Sequence, residues 1–350
     1  MGATGTIESR SSSQLPGLAA CVGVAVLSYL SWYLLYNPVS ALMWAFVYSI
    51  LIGNVIRVPP SFRSGIDMAS KEVLRFGIAC LGVTVSALAW LRIGLLGVGI
   101  VLANLSAALF IGIAIGKRVG LSDALSVLIG VGTSICGASA IASAGPALRA
   151  KEEEMGMALA CITIFGLVAM FLYPFLFLAS PLDDFLEASE IAFGFWSGIG
   201  IHETAQVVAA GYQVSKTAGD VALLVKSIRI FMIGPITVMS AIVYSKMTQI
   251  GKIAEVKLTV PKFAIAFIAL SVLTTIVGYY NAQWIGFYKT YLTPPIVFLL
   301  AMGFAGVGMK VQARALANIG WKAFAVGLIA SVLVSVIGLF LVRFIWMAFH

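Results

Sequence analysis

The sequence predicts an all-α integral membrane protein of about 9 to 11 transmembrane helices, with inverted repeats and two broken or re-entrant helical segments. Three observations predict it. The composition is too apolar for a soluble domain, two short glycine-rich stretches share a frame in the middle of apolar sequence, and a second self-similarity links the two ends of the chain.

The chain has 350 residues, 61% hydrophobic and 10% charged, with a mean hydropathy of +1.05. A membrane span needs roughly 20 apolar residues to cross about 30 Å of hydrocarbon. Uncharged runs that meet this length extend from Ser11 to Ile56, Ile93 to Gly116, Gly156 to Ser180, Phe263 to Tyr288, Thr290 to Met309 and Ala323 to Val342. The first is long enough for two helices joined by a turn at Tyr36, Asn37 and Pro38. Residues 1–16 are a polar, serine-rich tail, and the long segment after them lacks a small-residue cleavage site, so it reads as a retained first helix. The whole chain, 1–350, is expected to form a single polytopic transporter domain.

The net charge of +8 is explained by orientation signals rather than by an acidic partner. Lys and Arg gather in four groups: Arg57, Arg63, Lys71 and Arg75; Lys117 and Arg118; Lys246, Lys252, Lys257 and Lys262; and Lys310, Arg314 and Lys322. With alternating helices all four fall on one side, which is assigned to the cytoplasm together with the N-terminus of a multi-pass inner-membrane protein. Asp183, Asp184, Glu187 and Glu190 then fall outside, provided that the segment around Gly132 enters and leaves by the same face.

Cys21, Cys80, Cys136 and Cys161 lie in or beside apolar segments without metal-type spacing, so buried reduced thiols are expected. The histidines are His202 and His350, and the sequence shows no Walker loop, nucleotide fingerprint or zinc motif. No cofactor, metal or nucleic-acid partner is expected, and ATP-driven transport within this chain is disfavoured.

The end-to-end repeat places Phe76 to Gly94 over Met302 to Gly320, matching at Gly77/Gly303, Ala79/Ala305, Gly82/Gly308, Val85/Val311, Ala87/Ala313, Ala89/Ala315, Ile93/Ile319 and Gly94/Gly320. By loop charge the first copy leaves the cytoplasm and the second returns to it. Opposed copies of this kind allow inward-open and outward-open states of comparable energy. The Phe76 to Leu91 segment, bracketed by Arg75 and Arg92, covers only about 24 Å at 1.5 Å per residue, so it needs a tilt or a break at Gly82.

The two broken segments are assigned to residues 121–151 and 190–213. Gly132 to Pro146 aligns with Gly198 to Tyr212, matching at Gly132/Gly198, Ile135/Ile201, Ala144/Ala210 and Gly145/Gly211. Thr133, Ser134, Cys136, Gly137 and Ser139 would surround the first break. A half-helix amino end there carries unpaired amides and about half a positive charge, enough to attract an anion. The second segment adds His202, Glu203, Thr204 and Gln206. A His–Glu pair in apolar sequence points to a solute or to proton coupling, with a structural pair at a helix end as the rival. Lys226 and Arg229 precede the short uncharged run Ile230 to Ser245, so their helix must carry them into the membrane, facing an anion pathway or snorkelling to the interface. Pro235 predicts a kink in that helix. Glu152, Glu153 and Glu154 read as a solvated helix start.

At Gly132 to Ala142, then Lys151 to Glu154, then Ile201 to Gly211, the sequence resembles the YeiH family of sulfate exporters, with Arg75-Phe-Gly-Ile and Leu223 to Arg229 also in place. Glu203 stands where the resemblance would put Asp. The family is similar to the broader group of cation/proton antiporters and anion transporters. That likeness implies a core domain carrying the broken segments, a more static scaffold and a homodimer with elevator-like movement.

The expected function is therefore secondary transport of a small anion, sulfate or a sulfur-containing relative, between two broken segments. Thr133, Ser134, Cys136, Gly137, Ser139, His202, Thr204 and Gln206 are the candidate substrate residues, and Glu203, Lys226 and Arg229 would supply coupling or charge compensation. A proton- or Na⁺-coupled carboxylate or sulfonate carrier is the alternative. An intramembrane enzyme using Cys136 as nucleophile and His202 as base is a remote one. Besides the anion, the expected partners are H⁺ or Na⁺ and membrane lipid.

Overall fold

The structure, a computed structural model, describes residues 5–35, 39–56, 58–179, 182–248, 262–281, 283–312 and 319–347. The described residues are helical, without a strand. In chain order the helices are α1 (Gly5–Leu34), α2 (Ala41–Val55), α3 (Pro60–Met68), α4 (Leu74–Cys80), α5 (Leu88–Val119), α6 (Asp123–Ser134), α7 (Ala138–Ala147), α8 (Glu152–Ala179), α9 (Leu182–Phe185), α10 (Glu190–Gly200), α11 (Thr204–Val214), α12 (Lys216–Phe231), α13 (Ile233–Thr248), α14 (Lys262–Tyr280), α15 (Gln283–Phe287), α16 (Thr293–Lys310) and α17 (Trp321–Leu341). Six are long and apolar enough to span a membrane, or seven spans if α12 and α13, bent by 46°, count as one. The bend falls at Met232, three residues before Pro235, whose ring would clash with the Phe231 carbonyl in a straight helix.

The expected turn at residues 36–38, Arg57, Lys252, Lys257, Arg314 and His350 lie outside the described residues, as do the repeat positions Ala313 and Ala315. Helix α1 reaches back to Gly5, into the polar tail. The chain divides into two compact units: residues 1–89 with 262–313, and residues 90–261 with 314–350.

The first unit is organised by close backbone approach at small residues, the way apolar helices pack where burial against lipid gives no drive. Gly17 of α1 and Gly65 of α3 face each other backbone to backbone. The expected short span after Arg75 is instead the end of a longer helical line. It begins at Pro60, passes through a π-helical turn at Ala69–Val73, and closes in a 3₁₀ turn at Leu81–Thr84. Arg63, Lys71 and Arg75 thus stand on helix, not in a loop, and Lys310 pairs with Asp67 at 2.6 Å.

The two sequence copies in this unit make matching contacts. Gly77 packs on Leu300 and Gly303 on Leu74, so equivalent positions exchange partners where α4 crosses α16. Gly82 meets the Phe267 carbonyl on α14 and Gly308 meets the Phe46 carbonyl on α2. The equivalent carbonyls just past the helical part of each copy accept from side chains: Val85 from Ser271 Oγ at 2.7 Å, and Val311 from Asn54 Nδ2 at 2.7 Å.

The second unit is built around α8. Ser122, which caps α6, donates through Oγ to Glu154 at the start of α8, and Gly132 packs on Ile162, so α6 runs beside α8 in the same direction. The chain breaks at Ile135–Gly137, and α7 returns, bringing Gly145 back to Met155. The first broken segment is therefore a hairpin that enters and leaves at one end of α8. Helix α10 starts near the other end, with Phe193 against Phe177 and Trp196 stacked on Tyr173 at 3.9 Å. After a break at Ile201–Glu203, α11 runs back along α12, with Gly211 against Gly219. Two hairpins thus enter from opposite ends of α8.

Candidate site where the two hairpin tips cross

The two tips meet against the middle of α8 and are held by one helix. Lys226 and Arg229, three residues apart on α12, share a face and are 0% and 1% exposed. Lys226 Nζ donates to the carbonyls of Ile135 at 2.7 Å, Ile201 at 2.8 Å and His202 at 2.5 Å. Arg229 donates from Nε to Ser134 at 2.9 Å, from Nη2 to Thr133 at 2.6 Å, and from Nη1 to Ile199 at 2.5 Å, with Gly198 and Ile201 further off. Both cations therefore sit on the carboxyl ends of α6 and α10, where about half a negative charge and several unpaired carbonyls collect. Three carbonyl acceptors around one Nζ match the three N–H groups of an ammonium and stabilise that form of Lys226.

The amino ends of α7 and α11 converge on the other side of the crossing. Helix α11 is capped by Glu203, whose side chain accepts from the backbone of Gln206, while the Gln206 side chain accepts from the backbone of Glu203. Gln206 Nε2 also donates to the Thr163 carbonyl of α8 at 3.2 Å. Helix α7 has no side-chain cap; its cap residue is Gly137, at φ 62° and ψ −111°, a conformation that favours glycine. Glu203 lies against it. A Cβ on Gly137 would stand 2.9 Å from Glu203 Cγ and 3.3 Å from Oε1, and Thr163 Oγ1 donates to the same Oε1 at 3.4 Å.

This geometry sorts the candidate residues. Thr133 and Ser134 are buried at the carboxyl end of α6, with their hydroxyls donating to Ile129 and Val131 of their own helix, so they stand at the pole that attracts cations and not at the anion-attracting one expected of them. Gln206, 1% exposed, holds the cap to α8. His202, also 1% exposed, meets Ser331 of α17 through Nε2 at 2.7 Å, while its Nδ1 lies beside the Thr133 carbonyl without hydrogen-bond geometry. The Cys136 thiol meets the Ser139 hydroxyl. Gly137, Ser139, Glu203 and Thr204 are the candidates at the amino ends, with Ser139 exposed and Glu203 and Thr204 half-buried. Lys226 and Arg229 neither snorkel nor face an open path; they compensate helix ends.

Thr163 and Gly166 of α8 belong to the site as well. A Cβ on Gly166 would collide with the Gln206 side-chain oxygen, so only glycine admits the cap there. In the sequence they sit inside an uncharged run, and the interrupted apolar pattern at Thr163 and Gly166 is the only signal that could have singled them out.

Comparison with known proteins agrees with this architecture in its membrane character. The family model described as conserved hypothetical protein 698 matches residues 16–327. The chain belongs to this family, UPF0324. Its relatives include the UPF0324 membrane protein PA5383 of Pseudomonas aeruginosa, 31% identical over 316 residues, which are 88% of each chain. The UPF0324 inner membrane protein YeiH of Escherichia coli is 32% identical over 302 residues, 83% of this chain and 81% of its own. A UPF0324 membrane protein of Streptococcus agalactiae is 30% identical over 323 residues, 90% of this chain and 92% of its own. No solved structure matches the chain. Membership in UPF0324 and several apolar helices make this a multi-pass membrane protein.

Proposed function

We propose that this UPF0324 member is a secondary active transporter of a small anion, with sulfate or a related sulfur-containing anion as the substrate. The observation that carries the reading is the crossing of two opposed hairpins, where the amino ends of α7 and α11 come together while two buried cations neutralise the carboxyl ends behind them. An oxyanion at that point meets unpaired amides, the Ser139 hydroxyl and a positive surround. Opposed hairpins also suit alternating access, in which one site is reached from either side in turn.

The Na⁺-coupled alternative is disfavoured by the same contacts. Carbonyls of an unwound tip are the usual Na⁺ ligands, and here those of Ile135, Ile201 and His202 are held by Lys226. An enzyme using Cys136 and His202 is disfavoured because the imidazole pairs with Ser331 and the thiol with Ser139. An inner-membrane location, a cytoplasmic N-terminus, a homodimer and elevator-like movement complete the reading.

The test is counterflow in proteoliposomes with labelled sulfate, sulfite, thiosulfate, an alkyl sulfonate and a dicarboxylate. Exchange of at least one sulfur oxyanion above that of protein-free vesicles is expected. Exchange of the dicarboxylate alone would move the substrate to the carboxylates, and exchange of none would remove the anion-carrier reading.

A further inference from the structure

Four half-helix poles meet at the crossing, and three are served by dedicated side chains. Lys226 and Arg229 hold the carboxyl ends of α6 and α10, and Glu203 caps the amino end of α11. The amino end of α7 has no side chain of its own, because its cap is Gly137. The group pressed against it is again the Glu203 carboxylate, at the contact distances set by Gly137 and Thr163. Gly137 and Glu203 are equivalent positions of the hairpin repeat. One copy therefore supplies the carboxylate and the other the glycine that makes room for it.

The local charge completes the picture. Helix poles of opposite sign cancel in pairs. Three carbonyl acceptors stabilise Lys226 as an ammonium, and Arg229 is always charged. Against these two cations the crossing sets one carboxylate. Among the groups that face Glu203 are Cys136 from the first tip, Thr163 from α8, Lys226 from α12, and the adjacent His202, held by Ser331. Among the described residues at the crossing, Glu203 is the carboxylate.

We propose that Glu203 is a tethered anion that holds the substrate position at the amino end of α7, and that its carboxylate takes up one proton as the substrate anion replaces it. This rests on the anion-carrier reading above and adds its coupling. Two anions side by side at one pole repel each other in a low-dielectric surround, and protonation of Glu203 removes the repulsion. One proton enters on a Glu203 oxygen as one anion binds, and it leaves by the same oxygen as the anion departs.

The experiment measures binding of ³⁵S-sulfate to the purified full-length protein between pH 5.5 and 8.5, with a pH-indicator dye in weak buffer to count protons. Sulfate stays doubly ionised throughout. For the wild type, affinity should fall by about tenfold per pH unit in the upper part of the range, with one proton taken up per sulfate. Glu203→Gln keeps an oxygen to cap α11, so it should fold, bind sulfate independently of pH and at least about tenfold more tightly than wild type at pH 8.5, and take up no proton. A flat wild-type profile, or a Gln variant with the wild-type slope, overturns the tethered-anion proposal while leaving the carrier intact. Absence of sulfate binding in both proteins overturns the sulfate reading and this proposal with it. Should the Gln variant fail to fold, the wild-type slope and proton count decide alone.

Discussion

Gly137→Ala tests the crossing with the smallest possible change. The residue sits at φ 62° and ψ −111°, where a side chain adds backbone strain of about 1–3 kcal/mol. The new methyl would also lie 2.9 Å from both Glu203 Cγ and Ile162 Cγ2, half an ångström or more inside ordinary contact, and overpacking of this kind adds about 1–3 kcal/mol. A destabilisation of about 3 kcal/mol is therefore expected, measured by thermal unfolding in detergent alongside size-exclusion profiles. Because part of it is a clash with Glu203, the Gly137→Ala and Glu203→Ala changes should be less than additive by about 1 kcal/mol, which strain alone would not produce. A Gly137→Ala protein within about 0.5 kcal/mol of wild type, binding its anion normally, would refute the close approach of the two tips. Gly137→Leu goes further, obstructing the amino end of α7, and should abolish anion binding while leaving membrane insertion intact.

Lys226→Met should remove well-folded protein from the size-exclusion profile, since three buried carbonyls would lose their donor, each charge-assisted bond contributing about 1.5–3 kcal/mol. Arg229→Lys should be nearly as damaging, because one ammonium cannot reproduce a planar fork that spans both hairpins. Gly166→Ala should lower the unfolding free energy by about 1–3 kcal/mol by driving Gln206 off the α11 cap; full stability would show that the cap is not anchored on α8. Ser122→Ala removes both the α6 cap and the bond to Glu154, for a loss of about 1 kcal/mol in the same assay.

The sequence made the breaks, the removal of Lys226 and Arg229 from solvent, and the Pro235 bend legible, because each is a local departure from an apolar helix. It did not show which side of each break faces an anion. Carbonyls gather before a break and amides after it, so Thr133 and Ser139, six residues apart, stand at poles of opposite sign. That assignment depends on the break falling at Ile135–Gly137, which composition around Gly132 cannot fix. The helical line from Pro60 to Thr84 was hidden for the opposite reason. Its charges from Arg63 to Arg75 interrupt the apolar sequence, although they lie on helix. Thr163 and Gly166 were missed because their partner, Gln206, is distant in the chain.

The dependence of both hairpin tips on α12 has a consequence for the order in which the chain is made. Ile135 lies 91 residues before the lysine that satisfies its carbonyl, and Ile201 lies 25 residues before it. During synthesis the first hairpin therefore reaches the bilayer with its broken tip unpaired, and an unpaired carbonyl in hydrocarbon is costly. It must wait in a hydrated setting, at the interface or within the insertion machinery, until α12 emerges. Helix α12 then acts as the closing element of biogenesis: ribosomes stalled before Lys226 should leave residues 123–147 open to protease or to a water-soluble thiol reagent at Cys136, and extension past Arg229 should close them together.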